Sequence, residues 1–282
     1  MAKKYGVIGY PIGHSMSPFI HTELFTARGI SAEYGKYEIA PEKLGEEFEK
    51  SLKNFDGFNV TIPHKLAIIE YLDELDASAK EYGAVNVVVN NNGKYIGYNT
   101  DAYGFLKGLE LSGIKLCGKV MVYGFGGAAR TIITEAVKAG CEVTIGTIDN
   151  FLSGALAIAE ELGSKLGTTI KVLKNEEIKD NYNLLVNATP VGMYPKTDAV
   201  PLSYEQVALF DAVYDIVYNP EETMLLKTAK ELGKTCGGGL SMLVAQAVKG
   251  HTIFYGAEFT PEETLAVIEK SAKEQEAIFC GK

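Results

Sequence analysis

The segment Gly124-Phe125-Gly126-Gly127-Ala128-Ala129 has the spacing of a phosphate cradle. It follows the apolar run Lys119-Val120-Met121-Val122-Tyr123 and precedes a helical pattern over 131–137. Glycines permit a sharp strand-to-helix turn and let backbone N–H groups approach a pyrophosphate, to which the helix N-terminus adds partial positive charge. The pattern G-x-G-x-x-A leaves a small residue where the helix packs on the strand, which is the dinucleotide fingerprint. Four polar loop segments suit other chemistry. Ser15 and Ser17, two residues apart ahead of a helix start, can both donate to an anion; equally, Ser17 caps the helix and Ser15 is solvated. Lys65 ends Asn59-Val60-Thr61-Ile62-Pro63-His64-Lys65, beyond a strand and where α/β folds place ligands. It suits a general acid or a surface lysine, although a cation at a helix N-terminus opposes the dipole. Asn86, in Ala84-Val85-Asn86-Val87-Val88, needs partners for its amide, whether ligand hydroxyls or backbone. Asp101, closing Tyr98-Asn99-Thr100-Asp101, either caps the next helix or holds and polarises an ammonium such as Lys65.

These residues need a frame. In the first hundred positions strands are expected over 5–9, 37–39, 58–62 and 85–89, with helices over 18–28, 41–53 and around 66–72. Short strands spaced by helices predict a mostly parallel α/β sheet. A connecting helix over 103–111 leads to a βαβ unit opening at Val120, with strands over 142–145, 169–173, 183–186 and 211–217 and a helix over 151–166. This is a Rossmann-like second domain. Gly237-Gly238-Gly239 reads as a hinge, followed by helices over 240–255 and 261–279 that pack back on the first domain. The division expected is therefore 1–101 completed by 240–282, and 102–239.

With 282 residues the chain is long enough for two such domains. The net charge of −9 and the lack of any Lys/Arg cluster argue against a nucleic-acid partner. Cys117, Cys141, Cys236 and Cys280 are too scattered for a disulfide framework, which points to a reducing cytoplasm. His14, His21, His64 and His251 show no ligand spacing, so no metal is expected. The start Met-Ala-Lys-Lys-Tyr runs straight into a strand without a signal h-region, and no apolar run is long enough to span a membrane.

Taken in order, eight segments resemble the shikimate dehydrogenase family across essentially the whole chain. They are G-H-S-M-S-P at 13–18, N-V-T-I-P-H-K at 59–65, G-A-V-N at 83–86 and N-T-D at 99–101, then G-F-G-G-A-A-R at 124–130, N-A-T-P-V-G-M at 187–193, Y-N-P at 218–220 and G-G-L-S-M-L-V-A-Q-A at 238–247. The resemblance implies two α/β domains with the active site in the cleft between them, and reversible NAD(P)H-dependent reduction of 3-dehydroshikimate to shikimate in aromatic amino-acid biosynthesis. It implies that Lys65 and Asp101 are the catalytic pair, and that Ser15 and Ser17 hold the substrate carboxylate with Tyr218 nearby. Thr61, Asn86 and Gln246 would then surround the ring hydroxyls. Thr189 and Ile216 would line the cofactor groove, with Gly239 and Met242 closing over the nicotinamide. The partner expected is a small-molecule substrate, with the chain acting as a monomer or homodimer and opening about Asp101 and residues 237–239.

One segment departs from the family. Members that use NADP usually carry an Asn-Arg-Thr-like stretch after the second strand of the cofactor domain, where the arginine holds the 2′-phosphate. Here Gly146-Thr147-Ile148-Asp149-Asn150 has no cation and one carboxylate. It is similar to the quinate/shikimate dehydrogenase branch, which accepts NAD. A carboxylate there suits ribose hydroxyls and faces the 2′-phosphate with like charge, so the expectation is NAD used at least as well as NADP. Arg130, or a lysine from elsewhere, could offset this. Two alternatives stay open: an NAD-dependent quinate/shikimate dehydrogenase, and a non-catalytic nucleotide-binding regulator, which would be expected to have lost Lys65 or Asp101.

Overall fold

The structure, a computed structural model, describes residues 3–13 and 15–279. His14 and Cys280, weighed above, lie outside the described residues. The chain divides into two compact units, Met1–Tyr103 with Val244–Glu274, and Gly104–Leu243 with Gln275–Lys282. The division falls just inside two helices at whose first residues the sequence places it, and positions from Gln275 onward group with the second unit.

The first unit contains β1 (Lys3–Gly9), α1 (Ser17–Ala27), β2 (Ala32–Glu38), α2 (Leu44–Lys50), β3 (Gly57–Val60), β4 (Glu74–Leu75), α3 (Ala77–Tyr82), β5 (Val87–Asn91) and β6 (Lys94–Tyr98). Its sheet runs β2-β1-β3-β5-β6-β4. Strand β1 pairs parallel with β2 and β3, β5 runs antiparallel to both β3 and β6, and β4 is parallel to β6. Parallel pairing thus leads, yet the sheet is mixed. The cause is a hairpin: Asn92 at φ 54 and Gly93 at φ 88 form the two-residue turn that reverses β5 into β6. Several expected boundaries move. Strand β2 starts at Ala32 rather than Tyr37, the helix over 41–53 is a short α2 between 3₁₀ turns, and the helix near 66–72 is a 3₁₀ turn, Ala67–Tyr71.

The second unit continues α4 (Asp101–Leu111) and holds β7 (Lys119–Tyr123), α5 (Gly127–Lys138), β8 (Glu142–Thr147), α6 (Leu152–Leu166), β9 (Lys171–Lys174), β10 (Tyr182–Asn187), α7 (Tyr204–Val207), β11 (Phe210–Asp215), α8 (Met224–Glu231) and β12 (Thr235–Gly238). Its sheet is parallel throughout, in the order β12-β11-β10-β7-β8-β9. Read from β9, this is the doubly wound 3-2-1-4-5-6 arrangement, which reverses between β7 and β10 and opens a ligand crevice at the strand ends there. Gly237 and Gly238 form the end of strand β12, and Gly239 begins α9 (Gly239–Tyr255), with α10 (Pro261–Phe279) after it.

In the first unit the sheet is covered on both faces. Ile8, Phe58, Val60 and Val88 pack with Phe48 and Phe55 on one side. On the other, Tyr5, Phe25 and Val87 meet Phe254 of α9, whose ring lies 4.8 Å from that of Tyr5. Arg28 pins α10 through a bidentate pair with Glu263, 2.6 Å at each contact. His21 and His251 meet at 2.9 Å inside this layer, where burial pushes His251 down to about 3 and keeps it neutral.

Candidate active site

In the first unit, the polar segments converge where β3 and β6 end and β5 begins. Val85 N–H donates to the Lys65 carbonyl at 2.8 Å, which ties the loop after Pro63 to the chain entering β5. The Lys65 ammonium then donates to Asp101 Oδ2 at 2.6 Å, with the side chains 16% and 7% exposed. Such a pair is screened far less than a surface one. Asp101 is not an N-cap: it is the first residue of α4, and its own N–H donates to Asn99 Oδ1 at 2.9 Å.

Asn86 organises the rest. It stands one residue before β5, not inside a strand, and is 3% exposed. Its amide nitrogen lies 2.9 Å from Asp101 Oδ1, 2.9 Å from Thr100 Oγ1 and 3.1 Å from Gln246 Oε1. Two protons face three acceptors, and the Thr100 hydroxyl resolves the shortfall by donating to Gln246 Oε1 at 3.2 Å. The Asn86 carbonyl accepts from Val60 N–H and from Asn59, whose own oxygen accepts from the Tyr34 hydroxyl at 2.7 Å. One carboxylate oxygen of Asp101 is therefore locked by Asn86 and the other by Lys65. Only one of the three ammonium protons of Lys65 is committed among the described residues. That arrangement fits proton exchange with a bound oxygen. Thr61 follows β3 directly, where its N–H donates to the Ile8 carbonyl at 2.9 Å.

Ser17 does not cap α1 as its residue type suggests. The helix begins at Ser17, Met16 holds the cap position without a side-chain bond, and no acidic residue occupies the first turn. Ser15 Oγ donates to Ser17 Oγ at 3.2 Å and accepts from Ser17 N–H at 3.3 Å. The two hydroxyls are thus already adjacent at a helix start that lacks an anionic partner of its own.

In the second unit the glycine turn fits a dinucleotide. Gly124 sits at φ 113, and a Cβ there would meet Thr189 Cγ2 at 2.8 Å. A Cβ at Gly126 or Gly127 would meet nothing within 4 Å, so the bare backbone faces open space. Gly126 caps α5 without a side-chain bond, which leaves the first-turn N–H groups of Gly127, Ala128 and Ala129 for a ligand. Thr189 forms a turn on Asn187 Oδ1, at 2.7 Å from its hydroxyl. Ile216 N–H donates to the Asn187 carbonyl at 3.1 Å, Gly239 N–H to the Val217 carbonyl at 3.2 Å, and Met242 is packed in the core. Tyr218 is in this second unit, and its carbonyl accepts from Gln275.

Beneath these residues Asp215 is fully buried, accepting from Asn187 at 2.9 Å, Val217 N–H at 3.0 Å and Thr223 at 2.7 Å. Burial outweighs those bonds and raises its carboxyl from 3.8 to about 6. The folded state therefore holds the proton more tightly than the unfolded chain. Asp215 favours folding most below pH 4 and loses that contribution as the pH rises through 6. The full change is worth about 3 kcal/mol. Urea unfolding of wild type and Asp215→Asn should show the wild type gaining on the mutant by up to that amount between pH 7 and pH 4. A difference independent of pH would contradict the assignment.

Asp149 follows β8 with its side chain 73% exposed. Lys174, at the end of β9, reaches Asp149 Oδ1 at 3.1 Å and Glu176 Oε1 at 2.6 Å. Arg130 instead pairs with Glu161 of α6. Sequence reading missed Lys174, Asn59, Thr100 and Asp215. A β8–β9 register setting Thr147 opposite Lys174 is what brings that lysine in, and only the paired strands reveal it. Among the described residues no group of three His, Cys, Asp or Glu is placed to hold a metal, and no helix is long and apolar enough to cross a membrane.

The sequence matches the family profile of the shikimate dehydrogenase substrate binding domain over residues 7–88. It is 38% identical over 277 residues to the shikimate dehydrogenase (NADP(+)) of Methanocaldococcus jannaschii, covering 96% of this chain and 98% of that one. The shikimate 5-dehydrogenase of Thermus thermophilus, solved in complex with NADP(H) and shikimate, superposes with a TM-score of 0.84 at 33% identity, over 95% of this chain and 99% of that one. The Listeria monocytogenes enzyme, solved in complex with shikimate and NAD, gives 0.82 at 31% identity, over 95% and 96%. With the Lys65–Asp101 pair, the uncapped glycine turn and this near full-length likeness, the chain belongs to the shikimate dehydrogenase family.

Proposed function

We propose that this chain reduces 3-dehydroshikimate reversibly to shikimate. The observation that carries the reading is the 2.6 Å Lys65–Asp101 pair, locked from behind by Asn86. A bound nicotinamide would supply the hydride to the ring carbonyl carbon, or receive it in reverse. Lys65 gives a proton to the carbonyl oxygen as it becomes hydroxyl, and takes it back in the oxidative direction. Asp101 holds the ammonium in place through the 2.6 Å contact. Thr61, Asn86 and Gln246 orient the ring hydroxyls, and Ser15 and Ser17 take the carboxylate. The cysteine pattern supports a cytoplasmic setting, and the net charge of −9 supports a small-molecule partner over nucleic acid.

For the cofactor, Asp149 and the lack of an arginine in 146–150 support NAD used at least as well as NADP. Arg130 does not weigh against this, because Glu161 engages it. The test is absorbance of reduced nicotinamide with shikimate, then quinate, each with NAD and with NADP. Turnover of shikimate is expected; none with either cofactor would overturn the reading. Ser15→Ala and Ser17→Ala should each raise KM by roughly 10- to 150-fold, since each removes a charge-assisted bond of about 1.5–3 kcal/mol. Unchanged KM in both would remove the serines from the carboxylate site.

A further inference from the structure

We propose that Lys174 admits the 2′-phosphate of NADP and that Asp149 takes the ribose hydroxyls of NAD, so that this pair sets cofactor discrimination. The inference rests on the dinucleotide reading above and names the residues that divide the two cofactors. Asp149 occupies the position after the second strand where an acidic residue meets the adenosine ribose in this fold. Lys174 is in register with Thr147 at the matching end of β9, and its ammonium sits 3.1 Å from Asp149.

Its placement is fixed rather than incidental. Lys174 N–H donates to Glu177 Oε2 at 2.8 Å. The next residue, Asn175, accepts from the Tyr123 hydroxyl at 2.6 Å, and Tyr123 is the residue before Gly124. The end of β9 is thereby tied to the glycine turn. The other cations nearby are engaged differently: Arg130 is held by Glu161, and Lys171 pairs with Glu142 at the opposite end of the strands. Lys174 stays charged, because Glu176 and Asp149 raise it above the ordinary lysine range.

The local charge explains the division. Asp149 and Glu176 together carry two negative charges against the one positive charge of Lys174. A ribose hydroxyl can donate to Asp149 whether or not the lysine is present. A 2′-phosphate cannot approach two carboxylates unless the ammonium turns to meet it, exchanging an exposed ion pair of small worth for a charge-assisted bond to phosphate.

The experiment is calorimetric binding, without turnover, of NADP, NAD, 2′,5′-ADP and 5′-AMP to wild type, Lys174→Met, Lys174→Arg and Asp149→Asn. In Lys174→Met, Kd for NADP and 2′,5′-ADP should rise about tenfold or more while Kd for NAD and 5′-AMP stays within about twofold. Lys174→Arg should retain NADP binding, and Asp149→Asn should tighten NADP while weakening NAD. Equal losses for both cofactors in Lys174→Met, or no loss for NADP, would overturn the pair and leave the dinucleotide reading standing. Failure of wild type to bind any of the four would overturn both.

Discussion

Lys65→Ala should lower kcat by about 10²- to 10⁴-fold while leaving the Kd for shikimate within a few-fold of wild type. The size follows from the role. A general acid acts on charge that develops only in the transition state, so its loss appears in kcat rather than in ground-state binding. The geometry sharpens the expectation, because one ammonium proton is committed to Asp101 at 2.6 Å and the site has no second cation positioned on that carboxylate among the described residues. Removing Lys65 leaves Asp101, whose side chain is 7% exposed, as a buried charge whose carboxylate accepts only from the Asn86 amide among the described residues. Some loss of stability should accompany the loss of rate, so the comparison is made at a temperature where unfolding of the mutant is negligible. Lys65→Arg separates charge from proton transfer: the guanidinium keeps the ion pair but does not release a proton near neutral pH. It should restore stability without restoring kcat. Near wild-type turnover in Lys65→Ala would remove the residue from the chemistry.

What could be read before the structure depended on how local each signal was. The glycine turn was legible because strand, turn and helix are contiguous, and the doubly wound sheet followed from the same alternation. Asn92-Gly93 is a local hairpin signal, and the alternation over Lys94 to Tyr98 continues it, so the reversal of β5 into β6 is carried by the sequence although the strands expected above stop at 89. The Ser203-x-x-Gln206 capping box of α7 and the Thr223 cap of α8 carried comparable local signals and were also missed. Gly237 and Gly238 carry a second meaning that a run of glycines does not disclose, because they also end a strand. In β12 they allow close packing: a Cβ on Gly237 would meet Ser112 Oγ at 2.1 Å.

The site is a different case. Lys65 and Asp101 are 36 positions apart, and neither residue type alone outweighs its surface or capping role. Family likeness drew them together on paper; the hydrogen bonds of Asn86 show what physically holds them. Lys174 lay beyond both kinds of reading. No motif marks it, and its meeting with Asp149 depends on the register of β8 against β9, which a single sequence does not state.

Gly239→Ala should cost about 3 kcal/mol of stability, the upper end of overpacking changes, and weaken dinucleotide binding with it. Conformation is not the reason, because Gly239 is not in the left-handed region. Space is. A Cβ at this residue would lie 2.1 Å from the Ile216 carbonyl oxygen and 2.5 Å from its carbon, whereas ordinary contact begins near 3.4 Å. Both obstructing atoms are backbone, so no rotamer change relieves the overlap, and either α9 or the end of β11 must move by more than an ångström. The first option breaks the 3.2 Å bond from Gly239 N–H to the Val217 carbonyl and drags Met242 out of the core. The second disturbs Ile216, whose N–H is bonded to the Asn187 carbonyl at 3.1 Å beside the glycine turn. Gly126→Ala is the matched control, since a Cβ there would meet nothing within 4 Å. It should unfold at the wild-type urea concentration yet bind NAD and NADP more weakly, by crowding the phosphate approach alone. A Gly239→Ala protein as stable as wild type would show that the end of β11 yields easily, and the glycine would then be required by the ligand rather than by the fold.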